Sequence, residues 1–367
     1  MTSMEKAVSW LFWCILIVVL VELAVQYCIM RAAYPVLFSP MPDRFNLIGT
    51  LNQLPEIDDT IQIKEVSFPT TQELTLHGFI ATPNHSEPQG LILFCHPFKS
   101  TGKIALYQCR GLLKAGFAVF AFDFRNHGNS DTDVKYKSIH WLSDHEINDV
   151  NAAISYIQKQ PEWAQLPIGL LGMSRGAGTA LVVAAQTAKI QFVACEGAFQ
   201  NEELFLDHAI RWGERFLPRM FIQLVPTREV IRAFRIMIWY SQRRQGCQYV
   251  NLAPHLRSLK NRNLLFIVGE NDQSVVPRMT EQIIKKIRAS QITVCSIPNA
   301  IHNAGRFTQP LQYDAELIAF FSQMTLKYSQ QQENNSQKQM RNEPPSELVS
   351  RNYSDPDQHN PFTMRSA

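Results

Sequence analysis

From residue 91 to residue 327 the chain alternates short apolar runs with helix-length stretches, and few folds accept that pattern. The runs cover 91–95, 117–122, 168–172, 191–196, 264–269 and 292–297, each five or six residues long. Runs of that length without polar alternation suit strands buried on both faces. Helices are expected over 104–115, 144–160, 177–188, 277–289 and 310–327. The second has Ser143 or Asp144 as N-cap and stops before Pro161. Strands alternating with such helices build a mostly parallel sheet covered on both faces. Two earlier runs, 61–68 and 74–81, read as an antiparallel hairpin leading into it. Of 367 residues, 46% are hydrophobic and 18% charged, enough for one large domain over 61–327. That composition excludes a wholly disordered chain, a collagen and a disulfide-stapled miniprotein.

In a parallel sheet the ligand crevice lies beyond the carboxyl ends of the strands. The residues there are 96–99, 123–130, Ser174, 196–199, Asp272 and 301–303. Gly172-Met173-Ser174-Arg175-Gly176 joins a strand directly to a helix. A serine on so sharp a turn needs small residues two positions before and after it, because neighbouring backbone packs closely there. Its hydroxyl is left exposed above the sheet, at a helix N-terminus that favours developing negative charge. For a serine on such an elbow, an acid and then a histidine are expected further along the chain. Asp272 follows the run 264–269, with Glu270 and Glu196 as fallback acids. His302 follows the run 292–297 and is the sole histidine between position 255 and the end of the domain at 327. His302 is the expected general base and Asp272 the group that orients it. The expected oxyanion donors are the backbone N–H groups of Arg175 and Phe98, since Pro97 has none. His96 reads as a residue that shapes its loop, and 123–130 as scaffold.

These residues resemble the α/β-hydrolase superfamily. The likeness spans roughly 61–327 and rests on 172–178 as the nucleophile elbow, His96-Pro97 in the oxyanion loop, and Asp123–Ser130 as a D-x-R-x-H-G-x-S loop. Asp272 and His302 add the family's chain order. Esterases, lipases and serine peptidases with a helical cap after strand six are the branch it looks like. The resemblance implies the α/β-hydrolase fold, with a helical lid after strand six, and hydrolysis of carboxylic esters through an acyl-enzyme. Peptidase or amidase, thioesterase and acyltransferase chemistry use the same triad, and a binding protein without turnover uses the same fold. His96-Pro97 departs from the commoner His-Gly, and Arg175 replaces a small or apolar residue. No cofactor and no metal site is implied.

Outside this domain, 8–30 is almost wholly apolar and long enough as a helix for a bilayer. It reads as a single-pass membrane anchor, with a cleavable signal peptide as the alternative. Lys6 flanks one end and Arg31 and Arg44 the other, so charge leaves the side of the membrane open. The seven cysteines show no CxxC pair or metal spacing; they lean towards a reducing, cytoplasmic setting. Residues 31–60, with four prolines, read as a connector. The stretch 200–260 interrupts the alternation with helices carrying ten basic and five acidic residues, and reads as a lid. Residues 328–367 read as a disordered tail. A net charge of +3 gives no reason to expect a nucleic-acid partner. The expected partners are a small-molecule ester or lipid substrate and, through 8–30, a membrane.

Overall fold

Strand β3 (Leu91–Cys95) and strand β4 (Ala118–Phe122) are buried at every position, as their unbroken apolar runs require. They lie in the middle of one eight-stranded sheet. The computed structural model describes residues 3–38, 59–84, 86–215, 218, 220, 226–287 and 291–342. Strands β1 (Ile61–Pro69) and β2 (Thr75–Pro83) form the antiparallel hairpin, and β2 also pairs antiparallel with β4. The remaining strands, β5 (Ile168–Met173), β6 (Phe192–Glu196), β7 (Asn263–Gly269) and β8 (Gln291–Ile297), join in parallel. Their order across the sheet is β1-β2-β4-β3-β5-β6-β7-β8. The register sets Gly172 of β5 between Cys95 of β3 and Cys195 of β6.

Both faces are covered. On one lie α4 (Asp144–Lys159), α5 (Arg175–Gln186) and α8 (Ala253–Leu256), through Val150, Ile154, Leu181, Val182 and Leu256. Ser143 caps α4 in a full capping box with Glu146. On the other lie α2 (Ala105–Gln108), α3 (Arg110–Lys114) and the start of α11 (Pro310–Asn342), through Leu112, Leu113, Tyr313, Leu317 and Phe321. The single helix expected over 104–115 is thus split, at Cys109 with φ −103 and ψ 12. Between β6 and β7 the stretch read as a lid forms α6 (Asn201–Gly213), α7 (Thr227–Gln245) and α8. Phe205 of α6 and Phe234 of α7 stack at 4.3 Å. Much of 216–225 lies outside the described residues. Helix α9 (Pro277–Lys286) and the short α10 (Gly305–Thr308) flank β8.

Three expectations on domain limits change. Helix α1 (Ser3–Leu37) runs past both ends of 8–30, and Met4–Pro35 is long and apolar enough to cross a membrane. The connector expected from 31 is therefore helical at its start, while 39–58 lies outside the described residues. Residues up to Thr325 form one unit and those from Leu326 a second. Helix α11 continues through 328–342, where a disordered tail was expected. That stretch is rich in Gln, which favours helix, and meets no proline before Pro344. The rest of the tail, 343–367, is outside the described residues.

Candidate active site

Ser174 sits between β5 and α5 with φ 53 and ψ −116, a conformation that L side chains rarely adopt. Strain of this kind costs about 1–3 kcal/mol and persists only where the surroundings enforce it. Here the enforcement is backbone against backbone. A Cβ at Gly172 would lie 2.3 Å from the Gly176 carbonyl oxygen, and one at Gly176 would lie 2.1 Å from that of Cys95. The Ser174 N–H donates to the Glu196 carbonyl at 2.8 Å, tying the turn to the end of β6.

His302 lies in the loop after β8, with its side chain 22% exposed. Its Nδ1–H donates to Asp272 Oδ2 at 2.7 Å, and Ser174 Oγ–H donates to its Nε2 at 2.9 Å. A carboxylate only accepts, so Asp272 selects the tautomer that leaves Nε2 free to take a proton. Asp272 is buried, and its other oxygen accepts the N–H groups of Ser274 and Val275, both at 2.8 Å. The chain thus brings together Ser174, His302 and Asp272. The two fallback acids are occupied elsewhere. Glu270 accepts from Ser296 Oγ, and Glu196 accepts from the Gly305 N–H at 2.9 Å and Tyr313 Oη at 3.0 Å. Burial pushes the Glu196 carboxyl above its ordinary range.

The segments expected to carry the oxyanion donors approach each other one residue beyond Arg175 and two or three before Phe98. Arg175 opens α5, so its N–H has no acceptor within the helix. Gly176, one residue on, packs against the carbonyls of Cys95 and His96 at the head of the Phe98 loop. His96 holds that loop. Its Nδ1–H donates to the Pro97 carbonyl at 2.8 Å, and its Nε2 accepts the Phe124 N–H at 3.0 Å. Burial keeps this ring neutral. Asp123 braces the same edge, accepting the N–H groups of Gly102 (2.7 Å) and Asn129 (2.9 Å).

Sequence reading missed where the Arg175 side chain goes. It turns under the elbow, fully buried, and pairs with Glu146 at 3.3 Å. It also donates to Ser138 Oγ, the Ile139 carbonyl and His127 Nε2, and lies 5.2 Å from the Phe98 ring centre. Glu146 accepts from Tyr136 Oη and Ser143 Oγ as well. Burial alone would raise its carboxyl; the Arg175 charge and these bonds outweigh that and hold it below its ordinary range. The capping-box spacing was a legible signal for Ser143 and Glu146, but nothing in it pointed to Arg175. Also missed was Gly197, whose φ is 64 and whose added Cβ would lie 3.0 Å from the His302 ring.

Burial also holds His127, His140 and His208 below the usual histidine range, His127 at about 4 and His140 at about 3. His140 lies between Phe98 and Trp141. His208, on α6, donates to the Ser274 carbonyl in the loop that bears Asp272. The inserted helices therefore reach the rim of the site, and the histidines around it are neutral.

With this geometry in hand the comparisons can be placed. Residues 86–249 match the sequence model described as serine aminopeptidase, S33. Among solved structures, an esterase from Pyrococcus furiosus aligns with a TM-score of 0.56 at 19% identity. The alignment covers 72% of this chain and 91% of that one. An α/β hydrolase from Penicillium aligns with a TM-score of 0.53 at 14% identity over 72% and 99% of the two chains. The chain has the α/β-hydrolase fold. Curated relatives match over a shorter stretch: an uncharacterised 31.7 kDa protein of Escherichia coli is 28% identical over 127 residues, 34% of this chain and 43% of that one. A putative phosphoribosyl transferase of Mycobacterium tuberculosis is 29% identical over 130 residues, 35% and 27% of the two chains. The chain spans less than half the length of these curated relatives. On this α/β-hydrolase fold, Ser174 stands at the turn after β5, and Asp272 and His302 in the loops after β7 and β8.

Proposed function

We propose that this protein is a serine hydrolase of carboxylic esters. The observation that carries the reading is the hydrogen-bonded line from Asp272 through His302 to Ser174 on a strained strand-to-helix turn. His302 takes the Ser174 proton as the hydroxyl attacks the ester carbonyl. The N–H groups of Phe98 and Arg175 receive the oxyanion, and His302 returns the proton to the leaving alcohol. Water activated by His302 then releases the acid from the acyl-enzyme. The neutral histidines around the rim suit an uncharged acyl or lipid ester, and helix α1, read as a single-pass anchor, would hold the domain beside such substrates at a membrane. The match to a serine aminopeptidase model keeps amide cleavage as a second reading.

The test is labelling with a fluorescent fluorophosphonate. Labelling is expected at Ser174, absent in Ser174→Ala and strongly reduced in His302→Ala. A folded sample that stays unlabelled with and without added lipid overturns the proposal and favours a binding protein on the same fold. Parallel assays on p-nitrophenyl esters of graded chain length and on amino-acid p-nitroanilides separate ester from amide cleavage.

A further inference from the structure

Helix α1 changes character along its length. From Met4 to Val21 exposed apolar side chains predominate, among them Leu11, Phe12, Ile15 and Val18, with Glu5 and Lys6 in the first turn; further on Leu23, Val25 and Tyr27 are exposed as well. The 18 residues from Met4 to Val21 are about 27 Å long, close to the roughly 30 Å of a hydrocarbon core. From Glu22 onward the helix packs on the inserted helix α7. Glu22 pairs with Arg232. Gln26, only 6% exposed, donates to the Glu229 carbonyl at 3.2 Å and to its Oε2 at 3.0 Å. Arg228 and Arg232 both pair with Glu229 as well. Two turns later Tyr34 meets Tyr240 edge-on at 5.5 Å and stacks on Phe38 at 4.9 Å, and the Leu37 carbonyl accepts from Trp141 Nε1 at 3.1 Å. Positions 22 and 26 face 229–232 while 34 faces 240, so α1 and α7 run side by side in the same direction. Two acidic and two basic side chains cluster where the helix begins to pack on α7, and hydrocarbon does not accept such groups cheaply.

We propose that α1 leaves the bilayer at Glu22, that its second half is a strut of the inserted helices, and that Arg228 and Arg232 meet lipid headgroup phosphates there. This rests on the reading of α1 as a membrane anchor. The Arg228 side chain is 82% exposed and that of Arg232 53%. With Glu22 and Glu229 the cluster has two cations and two anions, which matches a zwitterionic headgroup layer. The same contacts make α7 and the anchor one piece, so the inserted helices stand at a fixed height above the membrane.

Native cysteines supply the test. Cys14 and Cys28 are exposed on α1, and the other five are buried. In phosphatidylcholine nanodiscs, open on both faces, a charged maleimide should label Cys28 and spare Cys14 until detergent is added. Val25→Cys should label as fast as Cys28; protection equal to that of Cys14 would place the exit beyond residue 25 and overturn the proposal. In a Cys14→Ser/Cys28→Ser background, a dye on Arg228→Cys should be quenched by lipid carrying a headgroup nitroxide. A dye on Trp239→Cys, about 16 Å further along α7, should not. Absence of quenching at 228, or equal quenching at 239, overturns the headgroup contact. A mature chain whose intact mass lacks α1 overturns the anchor reading itself, an outcome distinct from either labelling result.

Discussion

His302 and His96 both follow a strand at the carboxyl edge of the sheet, and both have each ring nitrogen engaged. They differ in what those nitrogens meet. His96 is wholly buried between the Pro97 carbonyl of its own loop and the Phe124 amide of the loop after β4, so its proton has nowhere to go. His302 is partly open, lies between a carboxylate and a hydroxyl, and points its acceptor at a proton that is able to leave. The two aspartates divide in the same way. Asp123 spends its two oxygens on backbone N–H groups, whereas Asp272 spends one on backbone and keeps the other for the imidazole. Residue type and strand-end position are thus shared by scaffold and chemistry; the second partner separates them.

The largest expected effect splits these edges directly. His302→Ala and Ser174→Ala should each lower ester turnover by about 10³-fold or more with little change in melting temperature. His96→Ala should do the reverse, costing about 1–3 kcal/mol of stability in denaturant unfolding through the unsatisfied Phe124 amide. If His96→Ala loses as much turnover as His302→Ala at unchanged stability, the division between scaffold and chemistry fails. Arg175→Met comes next on the stability scale. It leaves Glu146 buried without its cation and should cost about 3–5 kcal/mol, much of it recovered in Arg175→Met/Glu146→Gln. A double variant no more stable than the single one would mean that the pair is not the source of the loss.

Gly176→Ala sharpens the comparison at the point where the two edges touch. Its Cβ would drive the elbow away from the His96 loop at a cost of about 1–3 kcal/mol, and turnover should fall with stability. Unchanged unfolding midpoint and turnover would show that this contact yields freely. The smallest effect is acid sensitivity. His127 and His140 titrate near 4 and 3 in the fold, first through burial and then through nearby charge, against about 6.5 when unfolded. The unfolded chain therefore binds more protons between those values. Stability is full above about pH 6.5 and falls as pH drops towards 4. The melting temperature should follow, with a shallower slope in His140→Phe; identical slopes would remove His140 from the account.

Much of the fold was legible because its signals are local. Unbroken apolar runs, the N-cap at Ser143 or Asp144 and Pro161 after α4 each act within a few residues. The elbow was legible because strand, glycines, serine and helix are contiguous. The break at Cys109, the length of α1 and the helical 328–342 were not, since packing, not periodicity, decides where marginal helices bend or continue. The Arg175–Glu146 pair and the role of Gly197 were hidden for a related reason: their partners lie 29 and 105 residues away in the chain.

By itself the sequence determined the strand order along the chain, the small residues that permit a strained serine, and which acid and histidine are candidates to serve it. Those choices follow from side-chain size, hydrophobic period and chain order. Only the tertiary structure decided that Asp272, not Glu270 or Glu196, faces His302, that Arg175 turns inward, and that the second half of α1 belongs to the inserted helices. Each of these is a question of which charged or polar group finds a partner once water is excluded. That depends on distances between residues far apart in sequence, which no local pattern encodes.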